Sequence, residues 1–355
     1  MVDAVRIALL GAGTIGRALI RRTLNDPNFR YVAVGDTSGV VANGEGFSGR
    51  DMSDIIRLKE EGWSLKEYDG HHVFHGNMLD ALDLYAADVL VDVTNAQTYD
   101  LFTEALEYAH IVSSNKVPIA DVPYEKYQGL VSKAADRGRV IDFGTTVGAG
   151  LKIPDLIERV GIDGIDWASG CLSGTMNYVS QRLNEGAPLS SALKEAMAPP
   201  RSYTEPDPRD DLAGEDFARK LAIIGRICGK GVERSMVQIE EVVTDELRKL
   251  SVEEFLEALP TLDSEMRRRA EDAKWDGKRI WYLGAADFQN DEYRVGFEEV
   301  PVGDPITMAR ESDNVLTVFP SLWRRPVTII GPGAGAQETA TGLVSSLTSL
   351  SRHLS

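Results

Sequence analysis

Asp216 and Lys220 stand four residues apart at the end of the run Tyr203-Thr204-Glu205-Pro206-Asp207-Pro208-Arg209-Asp210-Asp211-Leu212-Ala213-Gly214-Glu215-Asp216-Phe217-Ala218-Arg219-Lys220. On a helix that spacing puts both side chains on one face. A lysine beside carboxylates can take a proton from a small polar substrate, or return one to it. The same pairing is also common on solvated helices, so the surrounding elements decide between the two readings. Pro206 and Pro208 stiffen the acidic loop that leads into the helix.

A second motif points to chemistry. The apolar run Val5 to Leu10 reads as a buried strand, and Gly11-Ala12-Gly13-Thr14-Ile15-Gly16 follows at once, opening a helical stretch. Strand, GxGxxG and helix in that order form a dinucleotide-binding fingerprint. Gly11 allows the tight turn and Gly13 lets a pyrophosphate approach the backbone. Gly16 lets helix and strand pack closely, while Thr14 and Ile15 begin the helix whose N-terminus faces the anion. A strand over 31–35 ends at Asp36, 25 residues after Gly11, near the spacing for a ribose 2′-hydroxyl contact. Asp36 favours NAD and repels a 2′-phosphate. Arg50, Arg57 and Lys59 follow and could meet such a phosphate. NAD and NADP both stay open, with use of either expected.

These motifs need elements to hold them. The first 143 residues alternate strand patterns (5–10, 31–35, 72–74, 88–93, 110–113, 139–143) with helical ones (14–25, 51–61, 99–108, 124–137). That rhythm predicts an α/β fold with a doubly wound parallel sheet. Thr94-Asn95 and Asn115-Lys116 close two of its strands, at the carboxyl ends where ligands collect. Residues 144–150, GTTVGAG, break the pattern and read as a crossover. Longer helices over 175–185, 189–197, 215–229 and 263–274, with strands over 278–286, 293–299 and 315–320, predict a second, α+β domain. Val327 to Ile330 then leads into a glycine-rich turn and a helix over 337–350, expected to return to the first domain. The expected domains are therefore 1–143, 144–326 and 327–355.

Composition narrows the partners. The chain has 355 residues, enough for two cores, and a net charge of −17, which argues against nucleic acid or an anionic membrane. Its two cysteines indicate no disulfide framework. His71, His72 and His75 cluster without acids or cysteines at metal-ligand spacing. No signal peptide is read at the N-terminus, and no apolar run approaches the roughly 20 residues of a membrane span. A cytoplasmic enzyme acting on a small molecule is expected.

In order along nearly the whole chain, GAGTIG, SSNKVP with Lys116, TVGAGLKIP, SGTMNY, the 203–220 run and GPGAGAQETATGLVSSL resemble homoserine dehydrogenases. The resemblance is to the short form, without a fused aspartate kinase or regulatory domain. It implies interconversion of L-homoserine and L-aspartate 4-semialdehyde with NAD(P), in a homodimer paired through the second domain. It implies that Lys220 is the acid/base, with Asp216 its partner and Lys116 a second lysine between nicotinamide and substrate. Glu205 would accept the substrate ammonium, and Tyr203, Asp211 and Thr175 would shape its pocket. Gly335 in the closing turn would line the cofactor. The family often has glutamate where this chain has Gly144, helping to hold a monovalent cation. Here the carbonyls of Val147, Ala149 and Leu151 remain and the carboxylate is missing, so no metal is expected. Ser202 likewise replaces a glycine. The readings that compete are a related dehydrogenase of another amino alcohol or small hydroxy acid, and a non-catalytic NAD(P) sensor.

Overall fold

Strand propensity in the first 150 residues sits in short β-branched runs, and each becomes a strand of one sheet. The computed structural model describes residues 4–70 and 74–354. Its first sheet holds β1 (Val5–Leu10), β2 (Phe29–Asp36), β3 (Gly39–Ala42), β4 (Phe74–Gly76), β5 (Val89–Asp92), β6 (His110–Ser113) and β7 (Ile141–Asp142). The order is β4-β3-β2-β1-β5-β6-β7. The five strands from β2 to β7 run parallel. Successive strands step away from β1 on one side, then resume with β5 on the other. The crevice for a ligand therefore opens beyond the carboxyl ends of β1 and β5.

The doubly wound fold is as expected, with one addition. β3 and β4 pair antiparallel at the edge. β3 has only four residues and follows a tight turn, too short for a periodicity reading. The strand expected over 72–74 lies mostly outside the described residues, as do His71 and His72.

The core of this unit joins Ile7 and Leu9 of β1 to Val34, Val91 and Val112 of the neighbouring strands. The last helix, Ala336–Leu354, adds Ala340, Leu343, Leu347 and Leu350 to the same cluster. It packs against the helix Thr14–Thr23 and against the turns over 144–151. A Cβ at Gly342 would come 2.5 Å from Thr145 Cγ2, so glycine there lets helix and turn meet.

The second sheet holds β8 (Ile165–Cys171), β9 (Gln238–Ile239), β10 (Lys278–Asp287), β11 (Glu292–Pro301), β12 (Asp313–Pro320) and β13 (Val327–Pro332), in the order β13-β12-β8-β10-β11-β9. Central β8 was not expected from the sequence. Its run IDWASGC is too small-sided and polar to read as a strand. The structure requires those small residues, because a Cβ at Gly170 would sit 2.8 Å from Leu316 Cα on β12. The helices Gly174–Asn184, Glu215–Ile227 and Asp263–Trp275 pack on β10.

The boundaries differ from those expected. Two compact units divide at Lys152/Ile153 and Ala334/Gly335 rather than at 143/144 and 326/327. The turns over 144–151 stay with the first unit because the last helix covers them. Val327–Pro332 stays with the second because it pairs with β12 along its length. Only the closing helix returns.

Candidate active site

In the first unit the glycine motif takes the geometry its spacing demands. Gly11 has φ +111°, and a Cβ on it would lie 2.9 Å from Val93 Cγ2 and 3.2 Å from Thr94 Cγ2. The turn is thus pressed against the end of β5. A Cβ on Gly16 would overlap the Gly11 carbonyl, so glycine is required for the helix to start so near the strand. Nothing lies within 4 Å of where a Gly13 Cβ would stand. Gly13 caps the helix Thr14–Thr23 without a side-chain hydrogen bond, and no acid lies in the first turn. The first-turn N–H groups lack a capping side chain and suit a phosphate. The residues fit a dinucleotide pyrophosphate. Arg17 Nη1 donates to the Ala12 carbonyl at 3.2 Å, which puts a cation beside this turn. Sequence reasoning missed it, although it follows the motif by one residue.

The ends of β5 and β6 are tied by a buried acid that sequence reasoning also passed over. Asp92 Oδ1 accepts from Thr94 N and Oγ1 at 2.9 and 2.7 Å. Its Oδ2 accepts from Thr98 Oγ1 at 2.7 Å and Asn115 Nδ2 at 3.0 Å. Asn115 Oδ1 in turn accepts from Val117 N at 3.1 Å. Asp92 and Asn115 are fully buried. This network sets the positions of Thr94, of exposed Asn95 and of half-buried Lys116, which caps the short helix Val117–Ala120.

Asp36 is not an open acceptor. Its Oδ1 takes Ser38 N and Oγ at 2.7 and 2.5 Å, and its Oδ2 pairs with Lys59 Nζ at 2.7 Å. Burial alone would raise its pKa, but the hydrogen bonds from Lys59 and Ser38 outweigh burial and hold it below the ordinary value. Of the three cations expected near the adenosine end, Lys59 meets Asp36. Arg57 pairs with Asp54 at 2.8 Å, and Arg50 lies 4.0 Å from the same acid. Gly335 has φ +117°, and the Glu338 carboxylate folds over the place its Cβ would take. An approaching anion would have to displace that carboxylate.

In the second unit the expected residues converge. Lys220 Nζ donates to the Leu172 carbonyl at 2.6 Å, just past β8, and pairs with Asp216 Oδ2 at 2.8 Å. Thr175 Oγ1 donates to the Tyr203 carbonyl at 2.8 Å, fixing the acidic loop to the helix Gly174–Asn184. Asp211 Oδ2 accepts from Glu205 N at 2.9 Å. Burial pushes the Asp211 carboxyl up to about 6, with the Glu205 and Asp216 charges adding to it against hydrogen bonds from Thr175 and Glu205 N. The Glu205 residue is exposed. Burial, with the Glu311 carboxylate beside it, raises the Tyr203 phenol, so the phenol stays a neutral donor to Glu311. Glu311 carried no sequence signal, since it lies more than a hundred residues from Tyr203. Ser202, in place of glycine, adopts φ +46°. The backbone keeps the left-handed conformation and serine bears the strain.

At the crossover, Gly144 N donates to Asp142 Oδ1 at 2.8 Å, and Lys152 Nζ pairs with Asp142 Oδ2 at 3.2 Å. Val147 and Ala149 are buried there and Leu151 is half-buried. No cluster of three or more His, Cys, Asp or Glu suited to a metal occurs among the described residues.

Known proteins resemble the chain throughout. The homoserine dehydrogenase family model matches residues 153–348, and a glutamate/leucine/phenylalanine/valine dehydrogenase model matches residues 1–98. Homoserine dehydrogenase of Schizosaccharomyces pombe is 31% identical over 360 residues, covering 96% of this chain and 93% of its own length. A bifunctional aspartokinase/homoserine dehydrogenase of Zea mays is 27% identical over 98% of this chain, which spans only 38% of that longer protein. A Candida auris protein of unknown function shares the fold with a TM-score of 0.84, at 26% identity over 99% of both chains.

Proposed function

The chain belongs to the homoserine dehydrogenase family, and on that premise we propose that it interconverts L-homoserine and L-aspartate 4-semialdehyde with NAD or NADP. The observation that carries this reading is the placement of Lys220. Its ammonium is held by a backbone carbonyl and by Asp216, at the edge of a loop lined with carboxylates.

In the oxidative direction the alcohol carbon loses a hydride and its hydroxyl loses a proton. The nicotinamide, when bound, supplies the hydride acceptor. Lys220 in its amine form takes the hydroxyl proton, and Asp216 and the Leu172 carbonyl stabilise the ammonium that results. The Glu205 and Asp211 carboxylates serve the substrate ammonium, since a charged donor needs a charged acceptor. Thr175 and Tyr203 hold the loop that presents them. Gly11, Gly13, Thr14, Ile15 and Gly16 would receive the pyrophosphate, and Asp36 with Lys59 would meet the adenosine ribose. Thr94, Asn95 and Lys116, set by the Asp92 network, would border the nicotinamide end.

A homodimer in the cytoplasm is the proposed setting. Exposed apolar side chains at one end of the second sheet support the dimer, where Trp167 stacks on Phe319 near Trp323. The free cysteines Cys171 and Cys228 suit a reducing compartment. No helix among the described residues is long and apolar enough to cross a membrane. The test is steady-state absorbance of the reduced nicotinamide with L-homoserine and each oxidised cofactor in turn. Turnover with at least one is expected. Cofactor binding without turnover would replace this reading with that of a sensor.

A further inference from the structure

Glu311 stands two residues before β12 with φ +50°, a conformation that L side chains seldom adopt. Three hydrogen bonds hold it there against the helix Gly174–Asn184. Asn177 Nδ2 and Gln181 Nε2 donate to its carbonyl at 3.0 and 3.1 Å, and its own N–H donates to Gln181 Oε1 at 3.2 Å. The next residue packs on the start of the same helix, where a Cβ on Gly174 would come 2.9 Å from the Ser312 carbonyl oxygen. A strained residue persists only where its surroundings over-determine it, and such residues gather at functional sites.

The side chain supplies the use. The Glu311 carboxylate accepts from the Tyr203 phenol, and the Ser312 side chain also hydrogen-bonds that phenol. Tyr203 opens the acidic loop, and its backbone is tied separately. Its N–H donates to the Ala196 carbonyl at 2.9 Å, and its carbonyl accepts from Thr175 Oγ1 at 2.8 Å. Thr175, Asn177 and Gln181 all belong to one helix. Glu311 therefore ties the far end of the Tyr203 side chain to the helix that already holds its backbone. Two residues on, Glu205 N donates to Asp211 Oδ2 at 2.9 Å. All of these residues lie within the unit Ile153–Ala334.

We propose that Glu311 is a positioning residue for the substrate: through the Tyr203 phenol it holds the loop 203–211 in the form in which Glu205 and Asp211 receive the substrate ammonium. This inference rests on the dehydrogenase reading above. Tyr203 is held between two non-glycine residues in the left-handed region, Ser202 before it in the chain and Glu311 at its hydroxyl. Loss of the phenol tie lets Ser202 relax and the loop shift. Glu311 meets Tyr203 and leaves the Lys220–Asp216 pair alone, so its loss weakens substrate binding and spares proton transfer.

The test measures steady-state kinetics with L-homoserine for the wild type, Glu311→Ala, Glu311→Gln, Tyr203→Phe and the double variant of alanine and phenylalanine. Amide hydrogen exchange is followed in the same proteins. Glu311→Ala is expected to raise KM for homoserine about tenfold, the scale of one net hydrogen bond, and to change kcat by less than about threefold. Glu311→Gln, whose amide oxygen still accepts from the phenol, should recover most of that loss. The double variant should be no worse than the worse single one, because both changes remove the same bond. Exchange over 203–211 should quicken about tenfold in Glu311→Ala, while the helix Glu215–Ile227 keeps wild-type protection. Tyr203→Phe leaves the Glu311 backbone in place and carries the comparison if Glu311→Ala prevents folding. An unchanged KM, a glutamine variant as impaired as the alanine one, or additive losses would overturn the assignment. Absence of homoserine turnover in the wild type would overturn the reaction instead, while the exchange rates still decide whether Glu311 holds the loop.

Discussion

Lys220 Nζ stands 2.8 Å from Asp216 Oδ2, one helical turn back, and the two partners differ in exposure: the lysine side chain is 14% exposed and the carboxylate 49%. The less exposed partner is the one proposed to move a proton, and the carboxylate is the more open of the two.

Removing the lysine should therefore abolish proton transfer and leave binding in place. Lys220→Ala is expected to lower kcat by at least about a hundredfold, the scale of a lost general acid/base. The dissociation constant of the reduced cofactor should stay within about threefold of wild type. A kcat that falls by less than about threefold would take Lys220 out of the mechanism.

Asp211 gives the site a pH dependence of known sign. Its carboxyl titrates at about 6 in the folded chain, against about 3.9 when unfolded. Between those values the folded state holds more protons, so stability falls as pH rises through the window and stays lower above it. Asp211→Asn should match wild type in denaturant unfolding near pH 4 and exceed it near pH 7.5, while raising KM for homoserine. Equal stability of the two proteins at both pH values would show that Asp211 is not desolvated.

The Asp36–Lys59 pair bears on cofactor choice. Both Asp36 oxygens are engaged, and Lys59 cancels its charge. In Lys59→Ala the carboxylate is left to repel a 2′-phosphate and to accept from a 2′-hydroxyl. The ratio of kcat/KM for NADP to that for NAD should fall by about tenfold or more. An unchanged ratio would place the ribose elsewhere.

Gly214 caps the helix Glu215–Ile227 with φ +69°, and an added Cβ would lie 2.5 Å from the Tyr282 hydroxyl. Gly214→Ala should cost at least about 2 kcal/mol, from the left-handed backbone and the collision together. The Tyr282 hydroxyl is buried without a partner, so adding Tyr282→Phe should recover part of the lost Tm. Strict additivity of the two changes would show that they do not meet.

The crossover supplies its own cation. Lys152 pairs with Asp142, whose other oxygen accepts from Gly144 N. Sodium or potassium at millimolar levels and fixed ionic strength is expected to change neither Tm nor activity. A Tm rise of several degrees with either ion would reveal a cation site among the carbonyls near Val147, Ala149 and Leu151.

Much of this was legible in the sequence. Val5–Leu10 and His110–Ser113 were read to the residue, because buried parallel strands are short apolar runs with sharp ends. The Asp216–Lys220 pairing was legible because both residues stand one helical turn apart within the eighteen residues from Tyr203 to Lys220. The unread parts depend on partners far away in sequence. β8 is held by its neighbours rather than by its own propensity. Asp92 reads as an ordinary strand-end acid until Asn115 and Thr98 close on it. Glu311 meets the Tyr203 hydroxyl from more than a hundred residues away, which no local pattern reveals. The second boundary was misplaced because a strand–glycine–helix pattern does not say which sheet owns the strand.

The dinucleotide-binding unit is built from two separate stretches of chain, whereas the other unit is continuous from Ile153 to Ala334. During synthesis the ribosome releases the whole of the continuous unit before Ala340, Leu343, Leu347 and Leu350 exist to complete the first core. The unit begun first is therefore finished last. Until the final helix emerges, the sheet beneath the glycine turn lacks the apolar cover that these four side chains provide.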